Sequence, residues 1–353
     1  MKILSFVPYR ICLIIPLRGP GGLFGPSCMA VSELAKEELN ASAGIGGRPV
    51  EFFYVDGGAP VDEVVAEVLQ LAQAGEIDAI TGWHISSIRR KLGPLLKGKI
   101  PYVYTSLFEG DETTTGIYCS GENPEQQVYP ALSWLRENFG CRRWHIVGAR
   151  YEWPVRSVNK LAAMASGLGI EIVGTSFVPM GHGNSPQLVE AVAHSNPDGV
   201  LMFLVGQDAV AFNRNFAAAG LSEKIIRYSS LMEENMLLGS GAEATKNLYS
   251  SAAYFRSLVS AEALDFIGRY TRSAGRVAPA LNNMAQSCYQ GIYTLATLVK
   301  RSGGYSVEAF NAVVDGLSFT GPRGTVRFEG NQAVSPITLA RAEQLDFHVI
   351  DTL

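Results

Sequence analysis

Hydroxyl, imidazole and aromatic side chains follow two apolar runs in the first third of the sequence. His84 and Ser86 come just after one run, and Tyr104 and Ser106 lie at the end of the next. Ligands bind beyond the carboxyl ends of strands in open parallel sheets, so these four side chains are predicted to hydrogen-bond a small polar ligand in one crevice. An ordinary capped helix start is the alternative interpretation of the first pair.

A second group of candidate binding residues takes the same position after later apolar runs. Two aromatic residues at a strand-to-helix turn can wall a small pocket, although a loop that merely buries its rings is the alternative. An acidic residue there can pair with a ligand ammonium group, although such acids are more often solvated. The second group comprises Tyr151, Trp153, Val205, Gly206, Ser230 and Glu234, with Asp208 and Glu233 as further acids.

Motifs for common catalytic and metal sites are absent from the sequence. It contains no GxSxG, HExxH, CxxC or P-loop lysine motif. The segment 19–25 (GPGGLFG) and Asp56 are placed as in a dinucleotide-binding fold, but Phe24 stands where the third glycine belongs. We therefore predict a non-catalytic protein without a cofactor or metal. A nucleotide-dependent α/β enzyme using the first lobe is the alternative.

Length and composition limit the class of protein and partner. The 353 residues suffice for two domains, and 47% hydrophobic with 18% charged residues is typical of a compact folded chain. A net charge of -4 provides no basic field for nucleic acid or an anionic membrane surface. No apolar run is long enough to span a bilayer. A small molecule is the predicted partner.

The cysteines and the N-terminal stretch indicate a location. The five cysteines are odd in number and scattered, unlike a disulfide framework. In residues 1–10, Pro8 and Arg10 interrupt a short apolar patch before any small-residue cleavage site, so no secretory signal is expected. A cytoplasmic location is predicted; a periplasmic or lipid-anchored one is the alternative if the natural start lies upstream.

Short strand-like runs alternate with helical patterns twice along the chain. This alternation predicts an α/β protein with two doubly wound, Rossmann-like lobes and parallel sheets. The later helices and short strands must complete these lobes, so the hinge is predicted to have several crossings. The predicted N-terminal lobe is 11–121 plus 257–329, and the C-terminal lobe is 122–253 plus 335–353, with the ligand cleft between them.

Several segments together resemble a known family. The segments 45–58 (IGGRPVEFFYVDGG) and 319–332 (FTGPRGTVRFEGNQ), with the strand order, are similar to type I periplasmic-binding-protein-like receptors, over almost the whole chain. That family includes the branched-chain amino acid and urea binding proteins of ABC transporters. Three segments resemble its amide-binding branch, the cytoplasmic sensor that controls an aliphatic amidase operon: 82–91 (GWHISSIRRK), 104–112 (YTSLFEGDE) and 147–160 (VGARYEWPVRSVNK).

The resemblance implies a type I periplasmic binding protein fold that holds a ligand between hinged lobes. Ser86 would bond the ligand's polar head, and His84 stands where the sensor has tyrosine. Tyr104 and Ser106 would add contacts from the first lobe. Tyr151 and Trp153 of the second lobe would cover the ligand, and Val205 and Gly206 would border the pocket.

The resemblance leaves the ligand and the partner open. At 230–232, Ser-Leu-Met replaces a run of hydroxyl residues in the sensor, which changes the pocket lining. A short amide, a urea derivative or an amino acid is expected as ligand. An ABC permease or a regulatory protein would be the macromolecular partner, for a transporter receptor or a sensor respectively.

Overall fold

The structure is a computed structural model that describes residues 7–353. Residues 1–6 lie outside the described residues. They are part of the N-terminal stretch in which no secretory signal is expected. The predicted α/β architecture with two lobes is confirmed, since the strands form two separate sheets covered by helices. No helix in the described part of the chain is long and apolar enough to cross a membrane.

The first sheet begins with alternating strands and helices. They are β1 (Tyr9–Ile15), α1 (Gly25–Ser42), β2 (Val50–Asp56), α2 (Val61–Gln73), β3 (Ala79–Thr81), α3 (Ser86–Leu96), β4 (Tyr102–Tyr104) and β5 (Ile117–Cys119). A short 3-10 helix, Pro20–Phe24, occupies the glycine-rich turn after β1. The turn connects β1 to α1.

The second sheet is built by the middle of the chain. Its elements are α4 (Pro124–Phe139), β6 (Arg143–Ala149), α5 (Glu152–Met164), β7 (Glu171–Val178), α6 (Pro186–Ser195), β8 (Gly199–Phe203), α7 (Gln207–Ala218), β9 (Ile226–Ser229), α8 (Glu234–Ser240) and β10 (Leu248–Ala252). Strands β6, β8 and β9 are fully or almost fully buried, which is typical of parallel strands covered on both faces.

The last third of the chain completes both sheets. Its elements are α9 (Ala261–Ala274), α10 (Asn283–Ser302), α11 (Val307–Asn311), β11 (Ser318–Gly321), β12 (Gly324–Glu329), β13 (Gln332–Val334), β14 (Thr338–Glu343) and β15 (Asp346–Thr352). The strand order is β11-β12-β13-β5-β4-β3-β1-β2 in the first sheet and β15-β14-β10-β9-β8-β6-β7 in the second. The first sheet with its helices forms the first lobe, and the second sheet with its helices forms the second lobe.

The sheets are mixed, which corrects the prediction of purely parallel sheets. Strands β11 and β12 pair antiparallel, as do β12 and β13, because tight turns connect them directly. In the second sheet, β14 pairs antiparallel with both β10 and β15. The late strands that follow one another directly are joined without a crossover helix, whereas β13 pairs parallel with β5.

Within residues 7–353, the chain passes between the sheets three times. The passages follow β5, β10 and β13 and comprise residues 120–123, 253–260 and 335–337. The Glu122 carboxylate in the first passage accepts a hydrogen bond from the Ala253 amide in the second, at 3.1 Å. The predicted residue boundaries of the lobes stay a prediction.

Asparagine side chains cap the first turns of two long helices. At α4, Asn123 and Gln126 form a capping box at 3.0 and 3.2 Å, and Pro124 occupies the first turn. At α10, the Asn282 side chain accepts the Ala285 amide hydrogen, so the helix begins at Asn283.

The turn after β3 depends on one glycine. Gly82 has φ +115°, and a Cβ there would lie 2.4 Å from the Ile14 carbonyl oxygen of β1. Only glycine tolerates both the backbone conformation and this close approach. The chain therefore leaves β3 sharply and carries residues 83–85 across the end of the sheet toward the second lobe.

Candidate functional site at the lobe interface

Ten residues from both lobes enclose one small cavity at the carboxyl ends of the strands. Its volume is about 10 Å³, about the threshold for one water molecule. Six residues predicted from the sequence come together here: His84, Ser86, Tyr104, Ser106, Tyr151 and Trp153. The other lining residues are Trp83, Ile85, Leu107 and Leu231.

Two hydroxyl groups fix the floor of this cavity. The Ser106 hydroxyl accepts a hydrogen bond from the His84 amide at 2.9 Å and donates one to the His84 carbonyl at 2.7 Å. The Tyr104 hydroxyl donates to the same carbonyl at 2.9 Å. The end of β4 and the segment just after it thereby hold the main chain that follows β3, and both side chains position the floor as well as line it.

The His84 imidazole is fully engaged within the first lobe. Its Nδ1 lies 3.3 Å from the Ile14 carbonyl oxygen, and its Nε2 contacts the Tyr102 hydroxyl. Burial lowers the pKa of His84 to about 3, so the ring is neutral. Nδ1 then donates to the carbonyl while Nε2 accepts from Tyr102. The ring therefore retains no free polar atom for a ligand, contrary to the expectation for this residue.

A buried ion pair lies directly behind the lining. The Arg89 guanidinium is 4.6 Å from the centre of the Tyr104 ring, and its Nη2 is 2.6 Å from Glu109 Oε1. Burial opposes ionisation of Glu109, but the neighbouring Arg89 outweighs it and lowers the pKa of that carboxyl. Glu112 adds a second carboxylate at 2.9 Å from Arg89 Nε. The charges thus compensate one another behind Tyr104.

The second lobe covers the cavity with two aromatic rings. The Tyr151 and Trp153 rings lie at the start of α5 with centroids 6.2 Å apart. Trp153 is 2% exposed and packs edge-on against Phe203 at 5.2 Å. Burial raises the pKa of the Tyr151 phenol well above its usual value, so its hydroxyl remains protonated. This cover supplies one hydroxyl group and no charge.

Contacts on both sides of the cavity show that the lobes are closed. At one side, Arg90 of α3 lies 3.7 Å from Glu152 of α5, the distance between Nε and Oε2. At the other, Gly206 packs so closely on the first lobe that a Cβ would lie 2.0 Å from the Pro20 carbonyl oxygen. Gly206 therefore contributes to closure rather than to the lining.

Three other predicted residues also lie outside the lining. Val205 is buried in the core of the second lobe. The Ser230 carbonyl accepts from Gln127 at 2.9 Å, while its buried hydroxyl has no partner among the described residues. Glu234 Oε1 accepts the Arg256 amide hydrogen at 2.7 Å.

The acids considered for a ligand ammonium are engaged by main-chain amides. Asp208 accepts from Gly181 and Gly183 at 2.8 and 2.9 Å. Glu233 accepts from Asn283, on the first lobe, at 2.7 Å. None of the carboxylates of Asp208, Glu233 and Glu234 lines the cavity. They stabilise turns and contacts around the cavity instead.

Sequence reasoning missed Trp83, the lining residue with the clearest binding potential. It is 2% exposed, and its indole Nε1 has no hydrogen-bond partner among the described residues. A buried, unpaired N–H group is costly, so an acceptor oxygen of a ligand would be favoured there. The signal was available, because Trp83 lies within the same 82–91 segment as His84 and Ser86.

Comparison with known proteins gives consistent matches over nearly the whole chain. A family model described as periplasmic binding protein matches residues 8–346. A solute binding protein of an ABC transporter from Rhodopseudomonas palustris, solved with p-hydroxybenzoic acid, has a TM-score of 0.88 at 17% identity, covering 98% of this chain and 97% of that one. A leucine binding protein from Thermotoga maritima has a TM-score of 0.84 at 16% identity, covering 98% and 99%.

A third structure has a higher sequence identity. It is an ABC transporter substrate-binding protein from Sphaerobacter thermophilus, with a TM-score of 0.83 at 22% identity and 98% coverage of both chains. At these identities the three structures establish the fold alone. The match to the family model overturns the predicted cytoplasmic location, because the family is one of periplasmic binding proteins. The cytoplasmic prediction is wrong, and the family indicates the periplasm.

The buried Glu234 predicts a pH dependence of stability. Burial raises its pKa to about 7, whereas in the unfolded chain it titrates at the ordinary lower value. As pH rises through this window, the unfolded chain loses the proton first, so the free energy of unfolding should fall. Glu234→Gln should remove this loss. Relative to the parent, the free energy of unfolding of the variant should therefore increase by about 1 to 3 kcal/mol between about pH 5 and pH 8.

Thermal unfolding of both proteins, followed by calorimetry at the two pH values, measures this difference. Glu190→Gln, an exposed change in α6, is the matched control and should follow the parent. Parallel pH profiles for the parent and Glu234→Gln would contradict an abnormal titration of Glu234.

Proposed function

We propose that this chain, which belongs to the periplasmic binding protein family, captures a small uncharged solute between its lobes and releases it unchanged. The proposed ligand class is a short amide or a urea derivative. The ten residues around the interlobe cavity form the proposed site, with Trp83, Ser86 and Tyr151 making the polar contacts. The family assignment supports binding, and the chemistry of the lining supports the ligand class.

The observation that carries this ligand class is the uncharged lining. None of the ten lining residues is Asp, Glu, Lys or Arg, and a pKa of about 3 keeps His84 neutral, so the lining carries no charge. A zwitterionic amino acid would bring an ammonium and a carboxylate into this site without partners, at a large desolvation cost. An amide or urea is neutral and needs only hydrogen-bond donors and acceptors.

The polar groups of the lining match an amide in number and kind. The free Trp83 indole N–H is a donor for a carbonyl oxygen. The hydroxyls of Ser86 and Tyr151 can accept hydrogen bonds from amide N–H groups. The apolar side chains of Ile85, Leu107 and Leu231 remain for a short alkyl group.

The small volume of the cavity indicates how binding is coupled to closure. At about 10 Å³ the closed cavity has no room for an organic solute, so the lobes must part before a ligand can enter. Ligand then shifts the equilibrium between open and closed forms only by its higher affinity for the closed one. Compact ligands should allow the fullest closure.

A small aromatic acid is the second candidate. Four of the ten lining residues are tryptophan or tyrosine, which suits a flat ring. The similar R. palustris protein was solved with p-hydroxybenzoic acid, which is a small aromatic acid.

The proposed macromolecular partner is an ABC permease. The similar structures include solute-binding proteins of ABC transporters, and the family indicates a periplasmic location. A closed, loaded receptor would present both lobes to the permease and release its ligand when they separate. The proposed role is therefore delivery of the solute rather than its chemical conversion.

A ligand panel tests this function directly. Thermal shift followed by calorimetry should detect binding of short aliphatic amides or urea, because a ligand specific for the folded state raises the melting temperature. Leucine and isoleucine should give no shift. A shift with benzoate or p-hydroxybenzoate alone would favour the second candidate, whereas a shift with amino acids alone would contradict the uncharged site.

The role of Trp83 can be tested by removing only its N–H group. Trp83→Phe should weaken binding of the best ligand by about 1 to 3 kcal/mol, because the ligand oxygen loses its donor. Tyr151→Ala should weaken it by a similar amount with the fold intact. Isothermal titration calorimetry measures both effects.

Trp134→Phe is the matched control for the tryptophan change. The Trp134 indole N–H donates to Asp351 at 2.8 Å on the surface of the second lobe, far in sequence from the lining. The affinity of Trp134→Phe for the same ligand should equal that of the parent. Unchanged affinity in both Trp83→Phe and Tyr151→Ala would place the ligand outside this cavity.

A further inference from the structure

A second, larger pocket lies on the first lobe, away from the interlobe cavity. It has a volume of about 350 Å³ and lies between α9, α10 and the β11–β12 turn. Its wall includes the aromatic residues Tyr289, Tyr293 and Phe319. This volume is within the range of small-molecule sites, and no residue of the interlobe lining contributes to it.

Buried polar contacts hold the aromatic wall in place. The hydroxyls of Tyr289 and Tyr293 both donate to Glu38 Oε2, at 2.6 and 2.8 Å. Arg269 donates to the other oxygen of Glu38 and, at 2.9 Å, to the Tyr289 hydroxyl. The two tyrosine rings stack with centroids 4.5 Å apart. The wall is thus fixed before any ligand binds.

The charges around this pocket are mainly negative. Glu262 and Asp265 line its rim, and Glu38 lies behind the tyrosines. One guanidinium, that of Arg269, pairs with Asp265 at 2.8 Å and with Glu38. Glu262 has no basic partner within 4.0 Å among residues 7–353. Three carboxylates therefore surround one cation, and an additional cation would be favoured.

One hydrogen-bond donor in the wall lacks an acceptor. Gln290 is 1% exposed, and its Nε2 has no partner among the described residues. Its Oε1 accepts from Gln286 at 3.4 Å, and the Gln286 oxygen accepts from Arg323 at 2.7 Å. A buried, unsatisfied amide donor favours a ligand that brings an acceptor oxygen.

We propose that this pocket is a second binding site, for a small organic cation that carries an acceptor oxygen, such as an amino alcohol or its quaternary form. The ammonium group lies against Tyr293 and Phe319 near the rim carboxylates, since aromatic faces and negative charge both attract it. The oxygen accepts a hydrogen bond from Gln290. This site does not depend on the identity of the interlobe ligand.

Choline and its uncharged carbon analogue, 3,3-dimethylbutan-1-ol, test the proposal on the full chain. Saturation-transfer NMR and calorimetry at constant ionic strength should detect saturable choline binding. The alcohol should bind about tenfold more weakly, because it has the same shape without the charge. Absence of saturation by about 10 mM choline, or equal binding of both compounds, would overturn the proposal.

Variants locate the site. Glu262→Gln with Asp265→Asn, and separately Gln290→Leu, should each weaken choline binding about tenfold. Glu76→Gln with Glu190→Gln removes the same charge from exposed positions elsewhere and should leave it unchanged. Choline binding should also persist in Tyr151→Ala. Its loss in that variant would place choline in the interlobe cavity and overturn the second site.

Discussion

The main chain of His84 is held by two hydroxyl groups, one at the end of β4 and one just after it, and the shape of the interlobe cavity depends on this contact. Ser106 satisfies both the amide and the carbonyl of His84, and Tyr104 adds a second bond to the carbonyl. Gly82 permits the sharp exit from β3 that brings this peptide within reach. Trp83 and the first turn of α3 are placed as a consequence.

Charge is kept out of the lining although many charged groups lie close to it. Arg89 is compensated by Glu109 and Glu112, and Asp208 and Glu233 are occupied by main-chain amides. Closing the lobes over a neutral solute therefore strips water from no ion of the lining, which would otherwise cost several kcal/mol. The same arrangement would penalise a zwitterion. In the proposed function, selectivity comes from the absence of charge in the lining as much as from its hydrogen-bond donors.

The position of the candidate site in the fold could be predicted from the sequence, whereas most of the atoms that line it could not. Strand ends followed by Ser86, Tyr104 or Tyr151 mark the carboxyl edges of sheets, where a crevice must form in this fold. The sequence does not reveal whether Trp83 or the His84 imidazole faces the cavity, because that depends on the φ of +115° at Gly82. Nor does it reveal that Glu234 meets an amide of the second passage between the lobes. These outcomes depend on tertiary contacts between residues distant in sequence.

A crystal structure of the chain with its tightest ligand from the amide and urea panel would test the proposed site directly. We expect a neutral ligand enclosed by Trp83, Tyr104, Tyr151 and Trp153, with the indole N–H of Trp83 donating to it. No carboxylate or guanidinium should lie within hydrogen-bond distance of the ligand. A ligand bound outside this cavity, or held by a direct ion pair, would contradict the proposed binding of a neutral solute between the lobes.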